Sequence, residues 1–277
     1  MFFTLFPADC RICGAPLLRI SRLPVCETCL ADLRPLDGCY CGICGEALHA
    51  PAFLDQGEAV CGMCQRAHPP FERAAAYGSY SGGLRDLVHL LKYQQVRPAA
   101  RVLGRMLAET VAHLETDVPD GTVVVVPVPL HTRKRAARGF NQAELIAAAA
   151  VKQLARPHRF HLGAKVLVRQ RETVSQIGLT RHQRRENMRG AFAVRDARDV
   201  AGRDVLLVDD VFTTGTTASE CARVLRRAGA ARVWVATVAR TLKVADVFAM
   251  PEDLSGERVS DEAGESEQDR LARAAHG

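Results

Sequence analysis

The chain has 277 residues, 48% of them hydrophobic, and a formal charge of +6 from 37 Lys and Arg against 31 Asp and Glu. A chain of this length makes one or two domains of roughly 100–200 residues around a buried core, which excludes wholesale disorder. No apolar run approaches the ~20 residues that cross a bilayer, so membrane insertion is not expected.

The charge is unevenly spread. Residues 1–70 hold 5 basic and 7 acidic groups, a net −2, whereas residues 131–200 hold 16 and 5, a net +11. Residues 251–277 return to 3 basic against 8 acidic, a net −5. A +11 block points to an anionic partner, and the segment 250–277 reads as an acidic disordered tail.

Nine of the ten cysteines lie within residues 10–64. Eight form C-x-x-C pairs: Cys10/Cys13, Cys26/Cys29, Cys41/Cys44 and Cys61/Cys64. A two-residue spacer turns both thiolates of a pair toward one ion, and two pairs complete a tetrahedral site. The pairs therefore predict a double zinc ribbon over residues 1–70 holding two structural Zn²⁺. A disulfide framework is the competing reading, but a bridge within C-x-x-C is strained, and this spacing belongs more often to metal or redox chemistry. First-with-second and third-with-fourth pairing is favoured over interleaving, although spacing alone leaves both open. Cys39 reads as a spare thiol and Cys221 as a small core residue. A fully ligated zinc site has no open position, so catalysis is not expected there. Clustered C-x-x-C pairs and the lack of a charged export signal at Met1–Ala8 point to a reducing cytoplasm.

His68-Pro69-Pro70 ends this module, and residues 71–249 alternate strand and helix patterns. Strands are expected at 74–80, 122–126, 165–169, 204–208 and 232–239. Helices are expected at 84–93, from Pro98 to about 115, at 141–154, 180–189 and 215–228. This alternation predicts an α/β fold with a parallel, helix-covered sheet.

The segment Val205–Ser219, VLLVDDVFTTGTTAS, carries the most chemistry. A buried strand leads into two acids, then a hydroxyl-rich loop, then a helix. In parallel sheets ligands bind beyond the carboxyl ends of the strands. Thr213, Thr214, Gly215, Thr216 and Thr217 open the helix, where free N–H groups and the helix dipole hold a phosphate. Asp209 and Asp210 are then the acceptors for sugar hydroxyls beside it. The ligand described is a ribose 5-phosphate, and the segment resembles the motif of type I phosphoribosyltransferases that binds 5-phosphoribosyl-1-pyrophosphate (PRPP). With PRPP, Mg²⁺ is expected to bridge the ribose hydroxyls and the pyrophosphate. A capped helix start or an acidic Mg²⁺ site are the plainer readings of the same residues.

In VVVVPVPLHTRKRAARGFNQ (Val123–Gln142), a strand exit stiffened by Pro127 and Pro129 leads into a basic loop. Arg133, Lys134, Arg135 and Arg138 are candidates to neutralise pyrophosphate, set against a solvated surface loop. The stretch from Arg169 to Phe192 adds Arg181, Arg184 and Arg185, placed either to close over an anionic substrate or to form a nucleic-acid ridge.

Taken together the chain resembles the ComF family of competence-associated proteins over about residues 1–240. The matching features are the paired C-x-x-C module, Tyr80 with Leu90-Leu91-Lys92, and Val126-Pro127-Val128-Pro129-Leu130. Further matches are Arg138-Gly139-Phe140-Asn141-Gln142, then Gln176, Leu179, Arg185, Asn187 and Phe192, and finally Leu207-Val208-Asp209-Asp210-Val211 with Thr213-Thr214-Gly215. The resemblance implies a phosphoribosyltransferase-like domain behind a zinc module. It also implies a link to natural transformation and the uptake of single-stranded DNA, often beside a helicase. Transfer of a phosphoribosyl group and a non-enzymatic scaffold that contacts single-stranded DNA or a competence helicase both follow from it.

Overall fold

The computed structural model describes residues 9–17, 19, 21–48, 53–55, 58–171 and 181–242. Its N-terminal part is poor in regular structure: helix α1 (Glu27–Ala31), strands β1 (Phe53–Asp55) and β2 (Glu58–Val60), and helix α2 (Gly62–Arg66). Thiols take the place of a large local core here. The sulfur atoms of Cys10, Cys13, Cys26 and Cys29 lie within 4.8 Å of one another, as do those of Cys41, Cys44, Cys61 and Cys64. The pairing is therefore sequential. Cys39 is exposed and outside both groups, and Cys221 is fully buried in the core.

From residue 74 the alternating pattern folds into strand β3 (Ala74–Ser79), helices α3 (Gly82–Tyr93) and α4 (Ala99–Glu115), strand β4 (Val123–Pro127), and helices α5 (Thr132–Arg138) and α6 (Gln142–Val151). Strands β5 (Phe160–Leu162) and β6 (Leu167–Arg169), helix α7 (Arg181–Met188) and strand β7 (Phe192–Val194) follow. Strand β8 (Asp204–Phe212), helix α8 (Thr216–Arg227) and strand β9 (Arg232–Arg240) complete the described order. Five strands form one parallel sheet in the order β3-β9-β8-β4-β5. The continuous Val123–Val126 run is buried on both faces, as the centre of such a sheet requires.

Helices cover both faces. Leu206 and Val208 point to one, against α3, α4 and α6, while Val205 and Leu207 point to the other, against α8. Helix α3 buries Leu84, Leu87, Val88 and Leu91, the i, i+3, i+4, i+7 stripe its sequence predicts. Each such fully buried leucine contributes about 1.5–3 kcal/mol. Among the described residues no helix is long and apolar enough to cross a membrane.

Three expectations are corrected. Strand β8 continues past Val208 to Phe212, because β9 stays paired with it as far as Phe212 opposite Arg240. The expected basic loop at 131–138 is the helix α5, closed by Gly139 at φ 78°; Arg, Lys and Ala are good helix formers, and charge alone concealed this. The strand near 165–169 lies outside the main sheet and pairs antiparallel with β7. The main-sheet edge is instead β5, which was not expected. Residues 250–277, Gln176 and Leu179 lie outside the described residues.

The cysteine-rich part and the sheet share one core. Leu23, Val25 and Leu33 pack in the same cluster as α3 and α4. Buried Arg240, at the end of β9, donates to the Cys44 carbonyl oxygen and to Glu46 Oε2, both at 2.6 Å.

Candidate functional site

In a strand, adjacent side chains point to opposite faces. With Asp209 and Asp210 both inside β8, this rule starts them on opposite faces, although their carboxyls still reach each other in a side-chain hydrogen bond. Asp210 continues the face of Leu206 and Val208 and is buried beneath α3 and α6. Its Oδ1 accepts a hydrogen bond from Gln142 Nε2 at 3.0 Å, and its Oδ2 forms an ion pair with Lys92 Nζ. Asp209 continues the face of Val205 and Leu207, where its charge acts on Arg169 and Cys221. Its Oδ1 accepts from the Asp210 backbone N–H at 2.9 Å.

The two carboxyls consequently titrate in opposite directions. Burial, and then the neighbouring Asp210 charge, push Asp209 well above the usual carboxylate range. Burial acts the same way on Asp210, but the Lys92 ammonium and the Gln142 amide outweigh it and hold that carboxyl low. Burial works against the charge on Lys92, and Asp210 more than compensates, so its ammonium is held above its ordinary value.

The loop after β8 is shaped by Gly215, which adopts φ 71° as the N-cap of α8. A Cβ there would stand 2.6 Å from the Phe212 ring, so both backbone and space require glycine. Thr214 and Thr216 share a hydroxyl–hydroxyl hydrogen bond of 2.9 Å. The first turn of a helix leaves its N–H groups without intrahelical acceptors, so Thr216 and Thr217 begin an anion-accepting end. Thr213, Thr214, Gly215 and Thr216 line one side of a cavity of about 280 Å³, and Cys44, Met63, Cys64 and His68 line the other. The cysteine-rich part thus supplies a wall to the loop.

The basic residues divide. Arg133, Lys134 and Arg135 are exposed on α5, and Arg135 forms a 3.3 Å ion pair with Glu144. Arg138 turns inward, donates to Gln142 Oε1 and lies 5.6 Å from the Tyr93 ring centre. It is therefore one residue removed from Asp210. Arg181, Arg184 and Arg185 fall on α7, and their side chains lie outside the described residues.

Lys92 and Gln142 are functional-site residues for which sequence reasoning found no role. Their only signal was membership of the LLK and RGFNQ stretches. Asn141 is a third. Its Oδ1 caps α6 by accepting from Ala143 N, and its Nδ2 donates to the Val128 carbonyl at 3.0 Å. That pair of bonds ties the Pro-Val-Pro strand exit to the helix carrying Gln142.

The thiol clusters have metal-site geometry. Four thiolates about 2.3 Å from a tetrahedral ion lie roughly 3.8 Å apart, and Cys10/Cys29, Cys13/Cys26 and Cys44/Cys61 are separated by 3.9, 3.7 and 3.6 Å. Burial opposes ionisation of Cys10, yet backbone N–H groups of Cys13, Cys26 and Ile12 lower its thiol to about 6. The acid pair offers a divalent ion much less: both oxygens of Asp210 and one of Asp209 already have partners.

The family described as the phosphoribosyl transferase domain matches residues 141–247. The chain is 33% identical over 241 residues to the DNA utilization protein YhgH of Escherichia coli, covering 85% of this chain and 98% of that protein. It is 29% identical over 228 residues to Competence protein F of Haemophilus influenzae, covering 80% and 93%. Against Competence protein ComFC of Bacillus subtilis it is 24% identical over 218 residues, covering 75% and 80%.

Proposed function

The chain belongs to the ComF family of competence-associated proteins, and on that premise we propose that it is a phosphoribosyl-ligand-binding protein serving DNA uptake. The ligand is of the PRPP type. Its 5-phosphate is held by the Thr213–Thr217 loop and its ribose hydroxyls by the acid pair, with Arg138 turned toward its anionic end. The observation that carries this reading is one juxtaposition: a glycine-shaped helix start follows, within five residues, two acids in the last half of a central parallel strand. Two structural Zn²⁺ occupy the four-cysteine groups, whose sulfur spacing suits thiolate-bound zinc. Transfer of the phosphoribosyl group is the chemistry this arrangement suits, because stabilising a departing pyrophosphate is electrostatic work that needs no nucleophilic side chain.

A second reading concerns the exposed Arg133, Lys134 and Arg135 of α5. They suit contact with the phosphates of single-stranded DNA, with a competence helicase as a further partner, and such contact weakens steeply with salt. Calorimetric titration of PRPP into the metal-loaded protein tests the main reading. Measurable binding is expected, weakened about tenfold or more by Gly215→Ala, which removes an anion-accepting loop worth more than ~1.4 kcal/mol. Absence of binding to the wild-type protein defeats it.

A further inference from the structure

The acid pair holds a cation of its own. The apolar stripe of α3 ends at Leu91, and the next residue, Lys92, stands in the last turn, where the helix dipole favours positive charge. Its side chain is only 15% exposed and reaches a carboxylate that is 4% exposed. The stem is buried and the ammonium delivered to one atom, Asp210 Oδ2. Gln142 takes Oδ1, and the Asp210 backbone N–H takes one oxygen of Asp209. Mg²⁺ requires near-octahedral oxygen coordination at about 2.0–2.1 Å, with few of its ligands usually coming from protein. Here the two carboxyls also hydrogen-bond each other, and a fixed ammonium stands beside them.

We propose that Lys92 is the resident counter-cation of this site, so that a phosphoribosyl ligand is bound at Asp209 and Asp210 without a divalent metal held by the protein. The assignment rests on the ligand class proposed above, but its metal arm does not. Lys92 acts through Asp210 and is a positioning residue: it keeps that carboxylate charged and aimed, and it closes the pair to metal.

The test uses the full chain with its cysteine sites loaded and follows Mn²⁺ by electron paramagnetic resonance. Wild type is expected to show no Mn²⁺ bound at the acid pair. Lys92→Gln uncovers the carboxylates and should tighten Mn²⁺ binding about tenfold or more, roughly one factor of ten per ~1.4 kcal/mol of attraction gained. The gain should vanish in Lys92→Gln with Asp210→Asn. Ribose 5-phosphate should bind wild type equally with and without Mg²⁺, Lys92→Arg should retain that metal-free binding, and Lys92→Gln should become Mg²⁺-dependent. Mn²⁺ binding to wild type that Asp209→Asn abolishes overturns the proposal, and this arm needs no variant at Lys92 to fold. A folded Lys92→Gln that gains no Mn²⁺ overturns it as well. If ribose 5-phosphate fails to bind wild type under all conditions, the ligand class falls, while the Mn²⁺ result still decides the role of Lys92.

Discussion

Asp209 and Asp210 are adjacent and chemically identical, yet the pleat of β8 gives them different neighbours and opposite pH behaviour. The folded-state pKa of Asp210 lies below its ordinary 3.8, so its contribution to stability is complete above that pH and lost as pH falls through the lower folded value. Lys92 is raised above 10.5, so its contribution is complete below that pH and lost as pH rises through the higher folded value. Asp209 is raised, which reverses the sign: its cost sets in as pH climbs above 3.8. At neutral pH, Asp210→Asn should therefore destabilise by about 3–5 kcal/mol, because it strands a buried ammonium. Asp209→Asn should leave Tm unchanged or raise it. Thermal melts of the two variants side by side check this, and a large drop in Asp209→Asn contradicts it. That acids stood here was legible in the sequence. That they start on opposite faces of a strand and titrate in opposite directions was not, because it depends on β8 staying paired for four residues beyond its apolar run.

At the scale of elements, long segments with an unmistakable period were readable. The Val123–Val126 run, the α3 stripe and the Arg232–Arg240 strand all fold where their patterns place them. Short ones were not. Strand β5 is Phe160-His161-Leu162, with one buried residue and two exposed, too brief to show a period. Helix α5 was concealed by its charge. Lys92 and Gln142 stood in the LLK and RGFNQ stretches without a readable role, because their meaning comes from Asp210, far away along the chain. The junction of α6 offers a direct check. Asn141 is buried and supports both the helix start and the Val128 carbonyl, so Asn141→Ala removes a cap and orphans a buried acceptor. A loss of about 2 kcal/mol in urea unfolding is expected, roughly 1 from the cap and the rest from the carbonyl. A loss well under 1 kcal/mol contradicts that role.

The whole molecule is less divisible than its sequence suggests. Pro69-Pro70 marks a clear change of pattern, but Leu23, Val25 and Leu33 share a cluster with α3 and α4, and Arg240 reaches the Cys44 knuckle from β9. Stripping metal with a chelator should therefore lower the stability of the entire chain in a single thermal transition. Two separate transitions, with the second unmoved, contradict this coupling. One contact has a further consequence. Strand β3 forms one border of the main sheet and exchanges backbone hydrogen bonds with the cysteine-rich part: Leu36 N donates to Tyr77 O at 2.6 Å, and Ala74 N donates to Ile43 O at 2.7 Å. An open border strand is a template for self-association. The cysteine-rich part thus covers a border that would otherwise be open to pairing with another chain.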